Sequence, residues 1–117
     1  MNKETNQENL RNQILDLLDV LKAKEIKTLD ITTKSSFADF LIICEGTSSR
    51  HVSSIVNKIS RDLKKNVHSV EGLPVAEWAL IDFGDIILHV FKPDVRKHYN
   101  LEKIWSELTP NEKKSFG

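Results

Sequence analysis

The run Asp39-Phe40-Leu41-Ile42-Ile43-Cys44-Glu45-Gly46-Thr47-Ser48-Ser49-Arg50-His51-Val52 decides the fold. Phe40 to Cys44 carries no polar side chain, the pattern of a short strand covered on both faces. Gly46 provides for a tight turn, and Ser48 or Ser49 can accept a hydrogen bond from an orphan N–H at a helix start. Beyond the turn, Val52, Ile55, Val56, Ile59 and Leu63 recur at intervals of three and four, which is one apolar helical stripe. A strand feeding a helix in this way is half of a βαβ unit and points to an α/β fold.

Upstream, Thr5-Asn6-Gln7-Glu8 has capping-box spacing, and Leu10, Ile14, Leu17, Leu18 and Leu21 follow at helical intervals. An amphipathic helix over residues 6–23 is the expectation. Ile26 to Ile31 favours a strand, which a turn at Lys34-Ser35-Ser36 returns into the central strand as an antiparallel pair. Downstream, residues 66–70 predict a short strand, taken as the parallel return of the βαβ unit.

Gly84-Asp85 lies between two β-rich runs, Trp78 to Phe83 and Ile86 to Phe91, and signals a two-residue hairpin. With Phe83 opposite Ile86, Asp82 faces Ile87, Ile81 faces Leu88, Leu80 faces His89, Ala79 faces Val90 and Trp78 faces Phe91. Ala79, Ile81, Phe83, Ile86, Leu88 and Val90 then form a wholly apolar face. The other face is mixed and rich in aromatic rings: Trp78, Leu80, Asp82, Ile87, His89 and Phe91. Pro93 stops the strand, Asp94 to Tyr99 reads as a helical turn, and Leu101, Ile104 and Trp105 share a face of a further turn. The sum is a single α/β domain over residues 1–105, a mixed β-sheet of about five strands with flanking helices. A charged, flexible tail over residues 106–117 follows.

A chain of 117 residues suits one domain. Lys plus Arg and Asp plus Glu each total 17, so long-range attraction cannot make a phosphate backbone the dominant partner, and no direct nucleic-acid readout is expected. The single Cys44 sits in the apolar strand as a small buried hydrophobe. One cysteine excludes an internal disulfide framework and is compatible with a reducing compartment. No stretch has the length and apolarity of a membrane span, and the polar start lacks a signal-peptide core. A soluble, cytoplasmic protein without membrane contact is the expectation.

Three sets of residues are candidates for chemistry. Gly46 to His51 could hold an anion at a helix start, but the turn lacks phosphate-loop and dinucleotide fingerprints, and capping explains its composition. Asp39, Asp82 and Asp85 could be imagined around a metal; turn chemistry accounts for Asp85, and no metal is expected. The four histidines lack metal-ligand spacing, and His89 reads as a packed, hydrogen-bonded ring. The third set is Trp78, Phe91, Tyr99 and Trp105 with Arg96 among them, residue types that anchor interfaces, or that pack as a second small core.

Ser35-Ser36 with Asp39, the run Ile43 to Val52, Glu71-Gly72, Trp78, the run Asp82 to Phe91, then Arg96 and Tyr99-Asn100-Leu101-Glu102-Lys103-Ile104-Trp105 closely resemble the ribosomal silencing factor, or Iojap-like, family. The match runs in order over roughly residues 10–105. The resemblance implies a nucleotidyltransferase-like fold without catalysis, no cofactor, and binding to the large ribosomal subunit through its fourteenth protein. Occupying that face would block joining of the small subunit and lower translation under starvation. It also implies contact roles for Trp78 and, after the last strand, for Arg96, Tyr99 and Leu101; Phe91 joins them from the hairpin register. Leu73-Pro74-Val75 departs from the more polar loop of many relatives. The rival reading is a nucleotidyltransferase-like, nucleotide-binding enzyme using Gly46 to Arg50 with Asp39, Asp82 and Asp85. A homodimer of the free chain through the aromatic face is compatible with the first reading.

Overall fold

In the computed structural model, residues 3–32, 38–72 and 77–99 are described, with side chains from residue 8 to residue 97. The elements are α1 (Lys3–Val20), β1 (Lys24–Asp30), β2 (Phe40–Glu45), α2 (Ser49–Asp62), a 3-10 turn (Lys64–Asn66), β3 (Ser69–Glu71), β4 (Trp78–Asp82), β5 (Ile86–Phe91) and α3 (Pro93–Tyr99). The strands form one five-stranded mixed sheet in the order β1-β2-β5-β4-β3.

The β4–β5 register is the one the Gly84-Asp85 turn dictates, from Asp82 opposite Ile87 to Trp78 opposite Phe91. Phe83 donates its N–H to the Ile86 carbonyl at 2.8 Å, closing the two-residue loop. Gly84 takes φ +91° at the first central position, a conformation open to glycine and strained for other residues. β1 pairs antiparallel with β2, as expected. Leu41, Ile42, Ile43 and Cys44 are each at most 1% exposed, so β2 is covered on both faces.

Two expectations are corrected. The first strand after α2 is not the parallel partner of β2; β5 is. β3 pairs antiparallel with β4 at the far edge, and Asn66 belongs to the 3-10 turn instead. The reason is burial: Ile86, Leu88, His89, Val90 and Phe91 are buried and fill a central position, whereas Ser69, Val70 and Glu71 are all exposed and suit an edge. Second, α1 begins at Lys3 and ends at Val20, so Thr5 lies inside the helix and does not cap it. Its end is a Schellman motif, with Ala23 N–H to Leu18 O at 2.9 Å and Lys22 N–H to Asp19 O at 3.0 Å. Lys22 occupies the left-handed position at φ +62°. Gly46, at the turn out of β2, has no positive φ. It is required by space, because a Cβ there would lie 2.8 Å from Val52 Cγ2 and 2.9 Å from Val52 N.

Helices α1 and α2 cover one sheet face. Ile14, Leu18, Val52, Ile55, Val56 and Ile59 pack there on Ile42, Cys44, Ala79, Ile81, Leu88 and Val90 in the main core. A smaller core occupies the opposite face: Ile31, Ala38, Leu41, Ile43 and Phe91, flanked by Leu29, Trp78, Ile87 and Val95. That face has only α3 and the chain around Ile31 and Ala38 as described cover.

Candidate interaction site

α2 starts as the sequence requires. Ser48 Oγ accepts the His51 N–H at 3.1 Å, Ser48 O accepts the Val52 N–H at 2.9 Å, and His51 Nδ1 accepts the Thr47 N–H at 2.9 Å. Since Nδ1 accepts, Nε2 carries the proton and donates to Leu21 O at 2.9 Å, tying this turn to the end of α1. The N–H groups of Gly46, Thr47, His51 and Val52 are thus engaged within the protein.

The acids of the rival reading lie at the other end of the sheet. Asp39 precedes β2 and donates its N–H to Asp85 O at 2.8 Å, while Asp82 accepts the Gly84 N–H at 2.7 Å. Gly46 to Arg50 follow β2, whose six residues separate the two groups by about 20 Å. One nucleotide pocket cannot be built from both. Among the described residues, no group of three or more His, Cys, Asp and Glu side chains could hold a metal ion. Cys44 is fully buried and its thiol is pushed up to about 12 by burial, which removes the thiolate any chemistry would need.

The aromatic residues of the mixed face do come together. Trp78 stacks on Phe91 with ring centroids 4.8 Å apart, and His89 stacks on Phe91 at 5.9 Å. Trp78 donates its indole N–H to His89 Nδ1 at 2.9 Å. His89 is 8% exposed, and burial holds its pKa down at about 4, so the ring is neutral and free to accept. Phe91 is 0% exposed. It is a floor beneath Trp78 and offers no surface of its own in this conformation, whereas Trp78, Leu80 and Ile87 are half-buried at the rim.

Arg96 is likewise buried, at 8% exposure. Its Nη1 donates to Glu25 O at 2.6 Å and to Glu45 Oε2 at 3.1 Å. The Glu25 carbonyl is presented by a bulge: Lys24 pairs with Glu45 and Lys27 with Ile43, so Glu25 and Ile26 together oppose Cys44, and Glu25 takes φ +49°. Arg96 thus fastens α3 across β1 and β2. An open groove of about 480 Å³ beside it is lined by Glu25, Ile26, Lys27, Glu45, Pro93, Arg96 and Lys97, a mixture of three cations and two acids. Tyr99 ends α3 with its side chain outside the described residues; Leu101, Trp105 and the tail over residues 106–117 also lie outside them. The pairing of Trp78 with His89, the bulge at Glu25 and the Glu45 partner of Arg96 escape sequence reasoning. Only the Trp78–His89 pair had a signal there, as diagonal neighbours in the hairpin register.

Comparison with known proteins agrees with this geometry. The sequence model of the family described as "Ribosomal silencing factor during starvation" matches residues 3–116. The "Ribosomal silencing factor RsfS" of Zymomonas mobilis is 45% identical over 95 residues, 79% of this chain and 71% of that protein. A mouse protein named "Mitochondrial assembly of ribosomal large subunit protein 1" is 29% identical over 80% of this chain and 43% of its own length. The crystal structure of protein CV0518 from Chromobacterium violaceum superposes with a TM-score of 0.81 at 30% identity, covering 88% of each chain. A helix-backed mixed sheet, an aromatic cluster on its open face and a match along nearly the whole sequence lead to one conclusion: this chain belongs to the family of ribosomal silencing factors.

Proposed function

We propose that this protein is a non-enzymatic repressor of translation in the cytoplasm. It binds the large ribosomal subunit through the subunit's fourteenth protein and excludes the small subunit sterically, lowering translation under starvation. The observation that carries this reading is the half-buried Trp78, seated on a fully buried Phe91 at the open face of the sheet in a chain of this family. A large flat ring on a rigid floor loses little conformational freedom on contact, which is what an interface anchor needs. Tyr99, the last residue of α3, and Leu101 after it extend the contact. Phe91 and Arg96 serve it from below, Phe91 as the floor and Arg96 by fastening α3. The names of the relatives, ribosomal silencing factor and mitochondrial large-subunit assembly protein, support the large subunit as the target. The split of the acids from the Gly46 turn speaks against the nucleotide-binding alternative.

The test is co-sedimentation of the purified chain with isolated large subunits, beside Trp78→Ala. Loss of an anchor of this kind is worth about 2 kcal/mol, or roughly thirtyfold in Kd. A folded Trp78→Ala chain that sediments with large subunits as the native chain does would remove Trp78 from the interface. Failure of the native chain to sediment would overturn the large-subunit reading itself. The same apolar rim of Trp78, Leu80 and Ile87 is the surface a second copy would cover in a homodimer of the free chain, and light scattering across a dilution series tests that association.

A further inference from the structure

Three features of the open face set the orientation of the half-buried Trp78. Trp78 and His89 are on adjacent strands, two residues out of register, which is the diagonal that long side chains span across an antiparallel pair. The indole N–H points inward to His89 Nδ1 at 2.9 Å and not outward to solvent. Both rings rest on Phe91, His89 almost parallel to it at 12°. A tryptophan side chain has two rotatable bonds; stacking limits its tilt, but only a hydrogen bond with a fixed acceptor chooses which edge faces in.

We infer that His89 is a positioning residue for the contact made by Trp78. By accepting the indole N–H it fixes which edge of the ring is presented and leaves the partner an apolar ring surface with no donor. This rests on the reading of Trp78 as an interface anchor. It defines the chemistry that meets the ring: an aliphatic side chain or a guanidinium plane stacked on its face, not a carbonyl or carboxylate seeking the N–H. Burial keeps the imidazole neutral through the physiological range, so the acceptor is always available.

Two measurements test the assignment. In the native chain, the Trp78 indole proton, identified by its absence from the spectrum of Trp78→Phe, is expected to exchange slowly with solvent and to couple through the hydrogen bond to the His89 Nδ1 nitrogen. Fast exchange without coupling would overturn the assignment whatever any variant does. In large-subunit binding, His89→Phe keeps the stack and removes the acceptor, and a roughly fivefold to tenfold rise in Kd is expected, the worth of one neutral hydrogen bond. His89→Asn, whose Oδ1 can occupy the place of Nδ1, is expected to restore affinity to within about twofold, a rescue that a purely space-filling histidine does not produce. If His89→Phe binds as the native chain does while Trp78→Ala binds weakly, His89 has no positioning role and the anchor stands. If Trp78→Ala also binds normally, the anchor itself is lost. Melting curves identify any variant that has not folded, and the exchange measurement then decides.

Discussion

The titration of His89 provides a quantitative check on the small core beneath Trp78. In the folded chain the imidazole titrates at about 4 because burial penalises the cation, against 6.5 in the absence of that burial. Its folded pKa is thus depressed, so its contribution to stability is complete above pH 6.5 and is lost as pH falls toward 4, since only the unfolded chain takes up the proton in that window. At about 1.36 kcal/mol per pH unit, the loss from this one group is about 2 kcal/mol between pH 7 and pH 5 and about 3 kcal/mol by pH 4. Urea unfolding of the native chain and of His89→Asn at pH 7 and pH 5 isolates it. Asp30, whose carboxyl is held below its usual range by hydrogen bonds from Thr32, is common to both proteins and cancels in the difference. The native midpoint should therefore fall further than that of the variant, by on the order of 1–2 M urea. Equal falls in both proteins would mean that the ring is hydrated in solution and that the core beneath Trp78 is loosely packed.

Other variants probe how the site is held. Arg96→Met keeps the buried stem but strands Glu45 and the Glu25 carbonyl, and thermal melting should show a loss of about 2–3 kcal/mol. Glu45→Gln should cost less, because an amide oxygen still accepts. Gly46→Ala drives a methyl into the start of α2 and is expected to destabilise the chain by about 1–3 kcal/mol in denaturant titration. Lys22→Gly relieves a left-handed backbone at the end of α1 and should raise stability by about 0.5–1 kcal/mol in urea unfolding.

The features legible in the sequence are those set by residues close together along the chain. The Gly84-Asp85 turn fixes the β4–β5 register pair by pair, and Ser48 caps α2 by a hydrogen bond three residues long. Strand order is different in kind. Whether β3 or β5 lies beside β2 depends on which strand can be buried on both faces, and the short run Ser69–Glu71 carries no sign of its edge position beyond its polarity. The candidate site divides in the same way. Register placed Trp78, His89 and Phe91 on one face, but residue type could not tell the half-buried Trp78 from the sealed Phe91. Arg96 looked like an interface cation because its partners, Glu25 and Glu45, are 71 and 51 residues away. The bulge that supplies the Glu25 carbonyl has no glycine to announce it.

That bulge has a further consequence at the border of the sheet. β1 is an outer strand, and an outer strand with a regular ladder of free N–H and C=O groups is a template on which another chain can pair. Glu25 and Ile26 break the ladder midway between Lys24 and Lys27, and both lysines are exposed along it. The opposite border, β3, is only three residues long. Neither side gives a foreign strand enough uninterrupted backbone to continue the sheet, so the fold is guarded against growing sideways into fibrils or run-on assemblies even when the protein is abundant.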